Sequence, residues 1–341
     1  MSEQMNSLER IRAAINFIEA DRVPIFPLAH YSTTRVVNMK ISEFASNPDS
    51  MARALLASYK YFGYDGICPG VDVVVEAEAM GSKTYQPDDG PASVVKPVIQ
   101  KYEDLYKLKT PNPLKDGRMP VIIKATEIIH KEVGNEACIG SWIIGPMNLA
   151  SQLRGVEQLM FDIVDSPDFF EELLDFATEV GIIFGKALVD AGSNMISMGE
   201  ALASPSFINP ITYRKFILER QRRVHNELTK YGSETTIIHI CGNIKPILYD
   251  IASIGAVIDV DWPVDMAEAK KTGVPIRGNI DPSSILLSGS PDQIEEKVRY
   301  IMDTSKAGGG LILGSGCDVS PNTPFKNIEA FVQAGIKYGQ Y

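Results

Sequence analysis

Three side chains stand out by type and spacing: His239, Cys241 and Cys317. The first two lie two apart at the end of the apolar run Ile237-Ile238-His239-Ile240-Cys241-Gly242. In an extended strand alternate side chains project from one face, so an imidazole and a thiol at that spacing can reach one ion without backbone distortion. The third follows a second apolar run with the same ending, Leu311-Ile312-Leu313-Gly314-Ser315-Gly316-Cys317-Asp318, where glycine again marks the strand's exit into a tight turn. Two thiolates and an imidazole are a borderline-soft donor set suited to zinc. Three protein ligands leave the fourth tetrahedral corner to water or substrate, which is the arrangement of a catalytic site. Taken singly, such residues are more often buried small hydrophobes or satisfied core histidines; three coincident strand-end placements favour the metal.

The remaining candidates surround that set. Asp261, closing the run Asp259-Val260-Asp261-Trp262, leads for a fourth ligand or a carboxylate behind the ligands, followed by Glu200 after the run 195–198. A helix cap or a plain carboxylate at the mouth is the alternative for each. His30 follows the first strand and is expected to line the mouth. Cys68 and Cys138 lie in or near apolar strands without a histidine nearby and are expected as core cysteines. His130 and His225 fall on charged amphipathic helices, where solvent-facing positions account for them.

Positioning these groups requires parallel strands with a common exit face. Apolar runs at 23–28, 66–69, 137–144, 195–198, 236–240, 257–260, 275–278 and 311–314 make eight expected strands. Helical stretches lie between several of them, at 169–191, 210–231 and 291–307, and residues 7–20 carry apolar positions at helical spacing. Eight near-continuous apolar strands separated by helices predict a (β/α)8 TIM barrel with an N-terminal helix, an open doubly wound sheet being the alternative. In such a barrel chemistry gathers at the C-terminal strand ends, so residues distant in sequence meet at one mouth. Residues 81–120 differ, with Gln86-Pro87-Asp88-Asp89-Gly90-Pro91, Thr110-Pro111-Asn112-Pro113 and one short helical piece at 102–108. They read as a long excursion after the second strand, of the kind that forms lids and binding elements.

Composition narrows the classes further. A chain of 341 residues with 45% hydrophobic content can bury a large core as one domain, 1–341, and shows no internal repeat or linker. Four scattered cysteines do not make a secreted disulfide framework, and the charged residues Glu3, Glu9, Arg10, Arg12 and Glu19 interrupt any leader-like apolar stretch. A soluble protein of the reducing cytoplasm is the expectation. The net charge of -10 argues against a phosphate-backbone binder, and no run reaches membrane-spanning length.

These residues resemble the uroporphyrinogen decarboxylase superfamily and, within it, the methylcobamide:coenzyme M methyltransferases of methanogenesis and their bacterial relatives. The likeness runs from Arg22-Val23-Pro24 through Glu103-Asp104-Leu105, Ser204-Pro205 and Ile208-Asn209-Pro210. It continues in His239-Ile240-Cys241-Gly242, in Gly278-Asn279-Ile280-Asp281-Pro282, and in Gly316-Cys317 with Asn322-Thr323-Pro324. It implies a zinc-dependent methyltransferase that moves a methyl group from a methyl-Co(III) corrinoid to a zinc-activated, coenzyme M-like thiol, with Glu200, His30, Asn279 and Ser315 as substrate-binding positions. None of the four histidines has an aspartate two residues before it, as a base-off cobalamin module requires, so the corrinoid is expected on a separate partner protein docking over the mouth. A homodimer is compatible with this reading.

Two departures from the family pattern stand out. The segment after the first strand reads Ile25-Phe26-Pro27-Leu28-Ala29-His30-Tyr31, with no arginine before Arg35, whereas a tetrapyrrole decarboxylase needs guanidinium partners for its many carboxylates. Asp259-Val260-Asp261 stands where the coenzyme M branch ends its strand in glutamate, and Asp318 where that branch has glycine. The ranked alternatives are donor-side transfer from a methylamine, methanol or aryl methyl ether to Co(I), and transfer to tetrahydrofolate. A non-catalytic tetrapyrrole or corrinoid carrier, or a decarboxylase, ranks last.

Overall fold

The computed structural model describes residues 5–341; Glu3, cited above against a leader, lies outside them. Among the described residues nine strands run in chain order: β1 Gly66–Ile67, β2 Lys83–Tyr85, β3 Ser93–Lys96, β4 Cys138–Ile144, β5 Met195–Gly199, β6 Thr235–His239, β7 Val257–Asp259, β8 Ile276–Ile280 and β9 Leu311–Ser315. Seven of them form one parallel sheet in the order β1-β4-β5-β6-β7-β8-β9. The strands are buried along nearly their whole length, as parallel strands covered by helices must be.

Residues 23–28 supply the eighth strand of the barrel. Ile25 bridges Leu313 of β9 in parallel, Phe26 N donates to Leu313 O (2.7 Å) and Leu313 N to Pro24 O (2.8 Å). On the other side Asp65 N donates to Ile25 O, and Ile25 N to the Asp65 carboxylate. Pro24 and Pro27 have no N–H to give, so this segment closes the ring through a few bonds and not a regular ladder.

The N-terminal helix is shorter than its periodicity suggests. It spans Ser7–Ile15, opened by a capping box between Asn6 and Glu9. Phe17 adopts φ 57°, and Ile18 N returns to Ala13 O while Phe17 N returns to Ala14 O, which closes the last turn. Its Leu8, Ile11 and Ala14 pack against Phe26, Cys138, Ile237 and Ile312, plugging the end of the barrel opposite the strand exits. The stretch at 210–231 is also divided: Pro210–Thr212, a π-helical turn at Tyr213–Ile217, then Leu218–Tyr231.

The excursion carries the antiparallel pair β2 and β3 and a 3-10 turn at Tyr102–Lys107. Arg118 at its end holds it down, bonding both oxygens of Asp72 (2.8 and 3.2 Å) and reaching Glu78 (2.9 Å). Among the described residues no helix is long and apolar enough to cross a membrane.

Candidate metal centre

His239 is the last residue of β6, and Cys241 follows it in the exit loop. Gly242 takes φ 84° directly afterwards, a conformation that favours glycine and turns the chain away from the strand. Cys317 comes from the corresponding exit of β9. The preceding Gly316 has no room for a side chain, since a Cβ there would lie 2.7 Å from Trp262 N and 2.8 Å from Asp261 Oδ1. The exit loops of the strands Thr235–His239, Val257–Asp259 and Leu311–Ser315 are thereby pressed together at the mouth.

The result is convergence on one nitrogen. His239 Nε2 lies 3.3 Å from Cys241 Sγ and 3.6 Å from Cys317 Sγ, and the three potential ligand atoms fall within 4.8 Å of one another. The other ring nitrogen, Nδ1, meets Asp259 Oδ2 at 2.9 Å. Asp259 is itself gripped by Arg277 through two bonds of 2.7 and 2.6 Å. This chain fixes the imidazole's orientation and raises its basicity at Nε2, as a carboxylate behind a metal-bound histidine does.

Electrostatics support the same picture. Burial opposes charge on His239, but Asp259 and Cys317 outweigh it and raise the imidazole to about 10. Burial works to raise Asp259, yet Arg277 and His239 hold its carboxyl below the usual range. A hydrogen bond with Cys317 lowers Cys241 against the effect of burial, while that same bond and burial push Cys317 up. A site that favours a sulfur anion beside a fixed imidazole suits a borderline-soft divalent cation, and two sulfurs with one nitrogen are the donor set of an open zinc site.

The other expected residues fall into two groups. His30 and Glu200 line, with the three convergent residues, a cavity of about 380 Å³ open on one side. Glu200 is fully buried, receives the Met147 and Asn148 amides, and is lifted by burial to about 8. Asp261, Asn279 and Ser315 do not line that cavity. Both oxygens of Asp261 accept backbone amides, from Gly242 (2.6 Å) and Trp262 (2.7 Å), so it ties down the loop that carries Cys241. Asn279 donates to the carbonyls of Asp261 and Val264, and Ser315 Oγ accepts Leu28 N.

Several contacts escaped the sequence. Cys68 does have a histidine partner: its Sγ lies 3.2 Å from His30 Nε2, while His30 Nδ1 meets Asp318 at 3.1 Å. His225 is half-buried and bonds Thr236, so it is not the solvent-facing residue expected, whereas His130 is exposed. Asp259 carries the histidine's second bond, and its signal was the parallel register, which sets it beside His239. Trp142, Asp72 and Asn148 also line the cavity.

A profile of the family described as Uroporphyrinogen decarboxylase (URO-D) matches residues 6–338. The chain belongs to the uroporphyrinogen decarboxylase family. It is 30% identical over 343 residues, 96% of this chain and 97% of the relative, to a protein of Methanosarcina barkeri named methylcobamide:CoM methyltransferase MtaA. It is 28% identical to the methylated-thiol–coenzyme M methyltransferase of Methanosarcina mazei, covering 98% of this chain and 90% of that one. A solved structure titled as a methyltransferase from Methanosarcina mazei superposes with a TM-score of 0.89 at 29% identity, covering 98% of this chain and 99% of the other. Like these near-full-length family relatives, the chain is a methyltransferase.

Proposed function

We propose that this enzyme moves a methyl group from a methyl-Co(III) corrinoid, carried by a separate protein, to a small thiol bound at His239, Cys241 and Cys317. The observation that carries the reading is the approach of two sulfurs to the single free nitrogen of an imidazole whose other nitrogen is fixed by Asp259. The names of the relatives, which speak of methylcobamide and of methylated thiols, agree with it.

A zinc ion held by these three residues would supply one thing: an acceptor thiol kept deprotonated at neutral pH and fixed at the open corner. The chain's own residues do the rest. Asp259 and Arg277 hold His239 in the tautomer that presents Nε2, and Asp261 holds the Cys241 loop. Trp142, packed between His30 and His239 at centroid distances of 5.5 and 6.0 Å, walls the cavity. Pro91 and Ala92 of the excursion reach its rim, where they restrict water and meet an incoming partner. In the transfer the thiolate sulfur forms a bond to the methyl carbon as the Co–C bond breaks, and the electron pair of that bond stays on cobalt as Co(I). The thiol's proton leaves to solvent. No oxyanion develops, so no oxyanion hole is required.

Four unpaired cysteines agree with a reducing cytoplasm. Against the decarboxylase reaction, no arginine among the described residues lines the cavity. Zinc-loaded enzyme incubated with free methylcobalamin and a thiol should convert the cobalamin spectrum to that of Co(I) and form a thioether. If product instead forms only from a methyl ether or methylamine with Co(I), the enzyme works on the donor side.

A further inference from the structure

We infer that the seam between the first and last strands of the barrel carries a second site, separate from the reaction cavity, that binds a phosphate-type oxyanion. It stands apart from the methyl-transfer reading, because no residue that lines it also lines the reaction cavity.

The site lies where two segments leave the barrel on its open side. The 3-10 helix Tyr31–Val37 follows residues 23–28, and residues 316–324 follow β9 and lead into the helix Phe325–Tyr338. Between them is a second cavity, of about 390 Å³, lined by Arg35, Asn38 and residues 321–325. In barrels of this type the loops after the last strands, together with a helix N-terminus, are where phosphate groups commonly sit.

Three kinds of donor meet this cavity without acceptors. The helix Phe325–Tyr338, 14 residues long, has Pro324 at its N-cap, a residue with no side-chain oxygen to cap it. The amides of Phe325 and Lys326, the first two of that helix, make no hydrogen bond among the described residues, so the positive end of its dipole is open. Thr323, just before the cap, is 4% exposed and lines the cavity, yet its Oγ1 has no hydrogen-bond partner among the described residues. Arg35 is exposed, reaches Asn322 Oδ1 at 3.4 Å and makes no ion pair among the described residues. No aspartate or glutamate among them lines the cavity, in a chain of net charge -10. A water molecule satisfies the Thr323 hydroxyl but leaves the guanidinium and the helix end without a counter-charge. A tetrahedral oxyanion serves all three, with oxygens for the Arg35 fork, the helix amides and the hydroxyl. A carboxylate, with two oxygens in a single plane, reaches fewer of these donors. Bound there, the anion ties the segment that follows Cys317 to the helix that carries Arg35.

Calorimetric titration of the purified enzyme, in phosphate-free buffer at fixed ionic strength, tests the site with two probes, inorganic phosphate and glycerol phosphate. At least one should bind with a Kd of about 10 mM or tighter. Binding of inorganic phosphate alone identifies the free ion as the ligand, and equal or tighter binding of glycerol phosphate identifies a phosphomonoester on a larger molecule. Arg35→Ala should weaken the affinity about tenfold or more, the scale of a charge-assisted hydrogen bond, and Thr323→Val by about threefold, the scale of a neutral one. Arg35 is exposed, so its variant keeps the test open if Thr323→Val does not fold. Failure of both probes to bind, or binding that Arg35→Ala leaves unchanged, overturns the inference and leaves the methyl-transfer reading standing. Methyl transfer that fails in the assay above, beside phosphate binding that Arg35→Ala abolishes, sinks the proposed function and supports this site.

Discussion

Two cysteine–histidine pairs flank Trp142, built from the same side chains and arranged to opposite ends. At His239 both sulfurs approach the same ring nitrogen, Nε2, and the carboxylate takes the far one. At His30 the single sulfur and the carboxylate sit on opposite nitrogens, Cys68 on Nε2 and Asp318 on Nδ1. In the first case the free electron pairs face one point and can share an ion; in the second every ring nitrogen is consumed in hydrogen bonds. Burial sharpens the contrast, because Cys68 is 2% exposed and absent from the cavity wall, while Cys241 and Cys317 both line it. Composition alone does not separate a metal centre from a structural bond; the direction from which the partners arrive does.

Replacing a convergent sulfur should break the comparison most severely. Cys317→Ala is expected to drop bound zinc from about one per chain to near none and to abolish transfer, since a two-ligand remnant no longer makes a three-ligand open site. Metal analysis of the purified variant beside its transfer assay checks this. A smaller loss is expected behind the ligands: Asp259→Asn should weaken zinc by about 10–100-fold, the usual effect of removing a carboxylate from a metal-bound histidine. Competition with a chromogenic chelator measures it, and unchanged affinity would mean that Asp259 serves only Arg277.

The second pair should respond differently. Cys68→Ser is expected to keep full zinc content, with a stability loss of about 1 kcal/mol read from a denaturation midpoint. Loss of metal in that variant would erase the distinction between the two pairs. The smallest effect lies away from both histidines, at Glu76, fully buried and lifted by burial to about 7 although the Ile144 amide bonds it. Its folded value exceeds its unfolded one, so its contribution is complete below about 4.5 and is lost as pH rises through about 7. Glu76→Gln should therefore flatten the fall of melting temperature across that window, and an identical slope would remove Glu76 as its source.

What could be read from the sequence was whatever local periodicity carries. The strands 138–144, 195–199 and 311–315 lie within a residue of their apolar runs, because parallel strands covered on both faces write their burial directly into sequence. His239 and Cys241 were legible for the same reason, spacing along one strand. Contacts between strand ends were not. His30 and Cys68 leave neighbouring strands of the ring, and nothing within either segment announces that they touch. Asp259 needed the register of β6 against β7, and Asn279 and Ser315 needed the knowledge that their side chains are spent on backbone groups. The early end of the N-terminal helix turns on Phe17 in a conformation that apolar periodicity does not encode.

X-ray absorption at the zinc edge, on enzyme purified without added chelator, tests the central claim most directly. The account predicts about one zinc per chain with two sulfurs at about 2.3 Å and one imidazole nitrogen near 2.0 Å, and a third sulfur shell when a thiol is added. Active enzyme with no bound metal, or zinc seen only by oxygen and nitrogen, would contradict it.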